Sequence, residues 1–113
     1  MRTITLALRL ALITVVMVVP ALALASPAEA GKGRPYQRLA KCESGGKWHI
    51  NTGNGYYGGL QISPGTWRAY GGKKFARLPH RATKREQIRI GKRIRHGQGW
   101  GAWPHCSRAV GLR

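Results

Sequence analysis

An uncharged apolar run from Leu10 to Ala25, broken once by Pro20, divides this chain before anything else about it is considered. A bilayer span needs about 20 apolar residues, so this run is short and interrupted for that purpose. It follows a basic start at Arg2 and Arg9. Ala28-Glu29-Ala30 then places small residues at the two positions a signal peptidase reads. Ala23-Leu24-Ala25 is a second candidate cut, and a retained N-terminal anchor is the competing reading. We expect residues 1–30 to be a secretory signal, 31–35 a basic leader, and 36–113 one small folded domain with no membrane span in the mature form.

A domain of that size has a thin hydrophobic core and commonly needs a covalent or metal staple. Two cysteines are available, Cys42 and Cys106. Export carries a chain into an oxidising compartment, where an even pair of cysteines reads as a disulfide. Closing a loop of that length stabilises by roughly 4 kcal/mol in the chain-entropy model. Metal ligation or a thiol nucleophile has little support, because neither Cys-x-x-Cys nor a His-x-x-x-His group lies beside them. We expect no metal and no cofactor.

Local signals lay out the domain. Pro35 suits a first helical turn, and Tyr36, Leu39, Ala40 and Glu43 follow on one helical face until Gly45-Gly46. From Trp48 to Ile62, Asn54-Gly55 favours a tight hairpin turn, so a short β-hairpin is expected, weakened by the many glycines around it. Ser63-Pro64 begins a short helix carrying Trp67 and Tyr70. Thr83-Lys84-Arg85-Glu86 is a capping box. Its helix turns Ile90 and Ile94 inward, turns Arg89, Lys92, Arg93 and Arg95 outward, and should close at Gly97. The expected class is α+β, mainly helical.

Carboxylates are scarce. The chain has 20 Lys and Arg against 3 Asp and Glu, and Glu29 lies in the expected signal. Glu86 belongs to a helix N-terminus, where the dipole favours its charge. Glu43 ends its helix, where the dipole disfavours charge, and it shares a face with apolar residues. Both effects raise a carboxyl pKa, as a general acid requires. The overall positive charge acts in the opposite direction, but salt screens it beyond about 10 Å, so the local terms should prevail. The competing reading of Glu43 is a surface pair with Lys47 at i+4.

The aromatic residues bear on that choice. Four Trp, four Tyr and one Phe are present, and Trp48, Tyr56 and Tyr57 closely follow Glu43. Aromatic faces pack on the C–H faces of sugar rings, while Asn51, Thr52, Asn54 and Gln61 can bind hydroxyls. Trp48, Asn51, Thr52, Tyr56, Tyr57 and Gln61 are therefore candidate substrate contacts. Trp67, Trp100 and Trp103 read as core.

With these pieces in place, a resemblance is visible. Cys42-Glu43-Ser44-Gly45-Gly46, Trp48, the run Asn51 to Gln61, Thr66-Trp67, Ala82-Thr83, Glu86-Gln87-Ile88, Gln98 to Pro104 and Cys106 together resemble the resuscitation-promoting factor family, in order from Tyr36 to Leu112. The resemblance implies a lysozyme-like, transglycosylase-like domain with catalytic Glu43 and a Cys42–Cys106 disulfide. It implies peptidoglycan glycan strands as substrate, cut between N-acetylmuramic acid and N-acetylglucosamine. It also implies a secreted, extracellular or wall-associated protein that supports growth or reactivation of dormant cells. Around Glu43-Ser44 and Gly59-Leu60-Gln61 the chain is similar to soluble lytic transglycosylases. It departs from the family at Tyr36 and Gln37, which stand where a Trp-Asp pair is usual.

Ten basic residues fall between Lys73 and Arg95, a stretch expected to seek anionic wall polymers. A non-enzymatic cationic wall-binding protein and a nucleic-acid binder are the rival classes. The second lacks any recognition motif, and a phosphate loop is excluded because no Gly-Lys-Ser/Thr occurs. A monomer is expected.

Overall fold

The computed structural model describes residues 34–113. The secretory signal expected at residues 1–30, and most of the basic leader expected at 31–35, lie outside the described residues. Among these described residues four α-helices follow in order: α1 (Pro35–Ser44), α2 (Pro64–Ala69), α3 (Lys84–Gln98) and α4 (Pro104–Ala109). Three 3₁₀ turns connect them, at Gly72–Lys74, Pro79–Arg81 and Trp100–Ala102. None of the described helices is long and apolar enough to cross a membrane.

Each boundary has a local cause. Pro35 occupies the first turn of α1, and Gly45, with φ +68°, closes it while its N–H bonds Lys41 O. The Ser63 side chain accepts from Thr66 N to start α2, and Tyr70 caps its end. Thr83 and Glu86 form the expected capping box on α3. That helix passes the expected stop at Gly97 and ends on Gly99, whose φ is +75°. A lone glycine within a helix costs only about 1 kcal/mol, whereas the positive-φ, extended-ψ conformation of Gly99 breaks the repeat.

Leu39, Leu60, Trp67, Ile90 and Ile94 form the buried centre, with Tyr36, Ile62 and Trp103 around them. Burying each large apolar side chain contributes about 1.5–3 kcal/mol. Trp67 and Trp103 are core, as expected, and Trp100 packs half-buried against it. Both buried indoles keep their N–H satisfied: Trp67 donates to Ala76 O and Trp103 to Leu60 O, each at 2.8 Å. The Cys42–Cys106 disulfide joins α1 to α4 with a Cα–Cα distance of 5.7 Å. Arg38 adds a second tie between the same helices by donating to Val110 O.

The expected β-hairpin between Trp48 and Ile62 does not form. Two isolated antiparallel bridges, Asn51 with Tyr57 and Tyr57 with Ile62, are its only strand-like pairings. A two-residue hairpin turn from Asn-Gly needs positive φ at both residues. Here Gly55 has it and Asn54 does not. Side chains satisfy the loop instead: Asn51 Oδ1 accepts from Gly53 N, and Asn54 Oδ1 from Tyr56 N. Asx turns of this kind compete with ladder pairing.

Candidate active site

Glu43 is the starting point. It occupies the last turn of α1 beside the disulfide and is half-buried. Burial pushes its carboxyl above the ordinary value of 4.5, and His105 at the start of α4 acts more weakly in the opposite direction. The helical i+4 pairing with Lys47 does not apply, because α1 stops at Ser44 and Gly45 turns left-handed. Lys47 instead bends back to donate its backbone N–H to Ser44.

Ser44 anchors this helix end to the loop that follows. Its hydroxyl reaches Ala40 O at 3.0 Å and Gly59 O at 2.9 Å, so its single proton serves one or is shared. Gly59 is thereby held next to the residue adjoining Glu43. Its N–H donates to Gln87 Oε1 at 3.0 Å. A Cβ on Gly59 would lie 2.3 Å from Trp48 Cε3, so only glycine lets the Trp48 ring close on this backbone.

Gln87 was not foreseen as a site residue, yet it organises the loop. It is fully buried, and its Nε2 donates to Trp48 O at 2.8 Å and to Ala82 O at 3.0 Å. One amide thus ties three separate segments to α3. Its place on the inward face of α3, one turn before Ile90, was the available signal.

The expected sugar contacts separate into distinct settings. Tyr56 is 51% exposed, and with Gln61 it lines a small groove shared with Ser63, Thr66, Gln98 and Trp103. Gln61 has φ +53°, the one non-glycine residue with positive φ among those described. Its side chain stabilises that sparsely populated conformation, donating to Gly58 O at 3.0 Å and accepting from Asn54 Nδ2 at 3.2 Å. Strained backbone held this firmly recurs at binding and catalytic sites. Asn51 and Thr52 are exposed on the same loop.

Trp48 and Tyr57 are less open. The Trp48 ring lies against Gly59, with the Lys84 ammonium 5.5 Å from its centroid. Tyr57 is stacked on His80 at 5.2 Å. His80 Nδ1 is buried without a hydrogen-bond partner, and burial lowers the pKa of this ring, with Arg81 and His49 adding to the shift. His49 meets the same turn through a 2.8 Å bond to His80 O. Among the described residues no group of three or more His, Cys, Asp or Glu is arranged to hold a metal ion.

Glu43, its carboxyl pKa raised by burial, thus stands beside a loop of exposed hydrogen-bonding side chains. Comparison with known proteins leads to the same family. The model of the transglycosylase-like domain matches residues 30–106. The chain belongs to the transglycosylase-like domain family. It is 51% identical over 104 residues to resuscitation-promoting factor Rpf1 of Corynebacterium glutamicum, across 92% of this chain and 54% of that protein. It is 48% identical over 92 residues to resuscitation-promoting factor Rpf of Micrococcus luteus, across 81% of this chain and 40% of that protein. With RpfA of Mycobacterium tuberculosis the identity is 47% over 89 residues, across 79% of this chain and 22% of that protein. The chain therefore spans about half the length of the first of these relatives and less of the others. The transglycosylase-like match contains Glu43, Ser44, Gly59, Gln61 and both cysteines.

Proposed function

We propose that this protein is a secreted muralytic enzyme that cuts the β-1,4 bond between N-acetylmuramic acid and N-acetylglucosamine in peptidoglycan, supporting wall remodelling, growth or resuscitation. One observation carries the reading: in a transglycosylase-like domain, burial holds the Glu43 carboxyl toward its protonated form. Residues 1–30 act as the export signal, residues 36–113 form the catalytic domain, and the protein works as a monomer. The basic residues from Lys73 to Arg95 keep the enzyme close to anionic wall polymers.

Glu43 gives its proton to the glycosidic oxygen as the bond to C1 of the muramic acid breaks. Glycosidases commonly employ a second carboxylate. Glu86 is occupied in the α3 capping box, so the substrate supplies the second group. The C6 hydroxyl of the same muramic acid attacks C1, and Glu43, now a carboxylate, takes the hydroxyl proton. The acid is regenerated, no water is consumed, and the product is a 1,6-anhydro sugar. The hydrolytic alternative replaces that hydroxyl with a water held by Thr52 or Gln61. Exposed Tyr56, with Asn51, Thr52 and Gln61, binds the glycan; Trp48 and Tyr57 support that loop and offer their free edges.

Digestion of purified peptidoglycan by the native protein beside Glu43→Gln tests this. The native protein should release muropeptides, chiefly anhydro forms by mass spectrometry, and the variant none. Equal turbidity loss from both would remove Glu43 from the chemistry. No loss from either, with cell effects retained, would favour a non-enzymatic cationic protein.

A further inference from the structure

The ten basic residues between Lys73 and Arg95 do not form one uniform surface. Lys74 lies over the Phe75 ring at 5.2 Å, and Arg93 donates to Tyr70 O at 3.1 Å. Arg95 lies over Trp100 at 4.8 Å. These three cations are engaged in holding the fold together.

Four converge elsewhere, and one of them, Lys84, also lies over the Trp48 ring at 5.5 Å. Lys84, Arg85, Arg89 and Lys92, with Gln37 and Ile88, line an open groove of about 710 Å³ beside α3. No carboxylate lies in that lining. At 100° per residue, these α3 positions centre on a face roughly opposite Ile90 and Ile94. Ile94 and Gln98 belong instead to the small groove containing Tyr56 and Gln61. A ligand along the cationic groove therefore leaves the candidate glycan groove free.

We propose that this groove binds a linear phosphodiester wall polymer, distinct from the glycan being cut. The cations recur one turn apart, Arg85 with Arg89, and two turns apart, Lys84 with Lys92, over about 12 Å of helix. Repeated charge at that spacing suits a chain whose anions also repeat. Each phosphodiester presents two free oxygens, which a guanidinium engages with two parallel bonds. Single-stranded nucleic acid calls for aromatic stacking platforms, and the lining contains no ring. A lipid surface calls for an apolar face, and Ile88 is the lone apolar member. The placement on a wall polymer rests on the muralytic reading above; the groove itself does not.

Binding of fluorescent poly(glycerol phosphate) provides the test, measured by anisotropy across a salt series. The wild type should bind, and Arg85→Gln/Arg89→Gln should bind at least about tenfold more weakly, with a log–log salt slope reduced by about 2. Lys73→Gln/Arg77→Gln removes the same charge outside the groove and should leave the slope unchanged. Circular dichroism checks that both pairs fold. Equal losses from the two pairs would overturn the proposal, since net charge would then explain binding. Tighter binding to single-stranded DNA, to poly-glutamate or to anionic vesicles at matched salt would also overturn it. Glu43→Gln should bind like the wild type, so a failed muralytic reading is distinguishable from a failed groove.

Discussion

Gln87 Oε1 accepts the Gly59 backbone N–H at 3.0 Å, joining the middle of the domain's longest loop to a helix 28 residues further along. The same amide donates to Trp48 O and Ala82 O. Gln87→Ala would leave a buried N–H and two carbonyls without their partner. Each buried orphan costs about 1–3 kcal/mol, with water offsetting part of it. We expect a loss of at least about 3 kcal/mol in urea unfolding, and a sharper fall in glycan cleavage than in helix content.

Gly59→Ala examines the same junction by steric means. The new Cβ would meet the Trp48 ring at 2.3 Å, and Gly59 does not have positive φ, so overcrowding is the whole effect. Overpacking of this kind costs about 1–3 kcal/mol. The variant should unfold earlier and show altered tryptophan fluorescence in the native state. An unchanged spectrum with unchanged stability would mean that the ring can leave without penalty.

Glu43 makes stability depend on pH in a defined direction. Its folded-state pKa lies above the ordinary 4.5, so the folded chain holds that proton more tightly than the unfolded chain does. Stability from this group is therefore present below 4.5 and is lost as pH rises through the folded value. Glu43→Gln should abolish that loss, and be more stable than wild type near neutral pH, while cleaving no peptidoglycan. In the wild type, kcat/KM should fall on the alkaline side as the acid ionises.

His80 has the opposite sign of shift and a different consequence. Its folded pKa lies below 6.5, so the unfolded chain takes up the proton first as pH falls. Stability is lost on acidification below that value, and His80→Phe, which keeps a ring against Tyr57, should flatten the dependence. Thermal midpoints recorded between about pH 5 and pH 7.5 read this directly.

Reducing the Cys42–Cys106 bond should cost about 2–4 kcal/mol. Cys42→Ser/Cys106→Ser should match the reduced wild type in urea midpoint. Because Cys42 adjoins Glu43, activity should fall along with stability, even where the fold persists.

Much of this molecule was readable from residues close together in the chain. The proline and glycine positions, the Ser63 and Thr83 caps, and the apolar spacing of α1 and α3 act within one or two helical turns. They determined α1, α2 and the start of α3 whatever lay beyond them. The same local logic singled out Glu43, since it is a carboxylate at a helix C-terminus on an apolar face. Tertiary structure alone decided which groups would meet across distance. Trp103 bonds Leu60 O over 43 residues, and Gln87 bonds Trp48 O over 39. Likewise tertiary structure placed Arg93 and Arg95 against a carbonyl and a ring, and Arg85, Arg89 and Lys92 along an open groove. Sequence spacing carries periodicity and capping, whereas burial and long-range hydrogen bonding exist only once the chain has folded back upon itself.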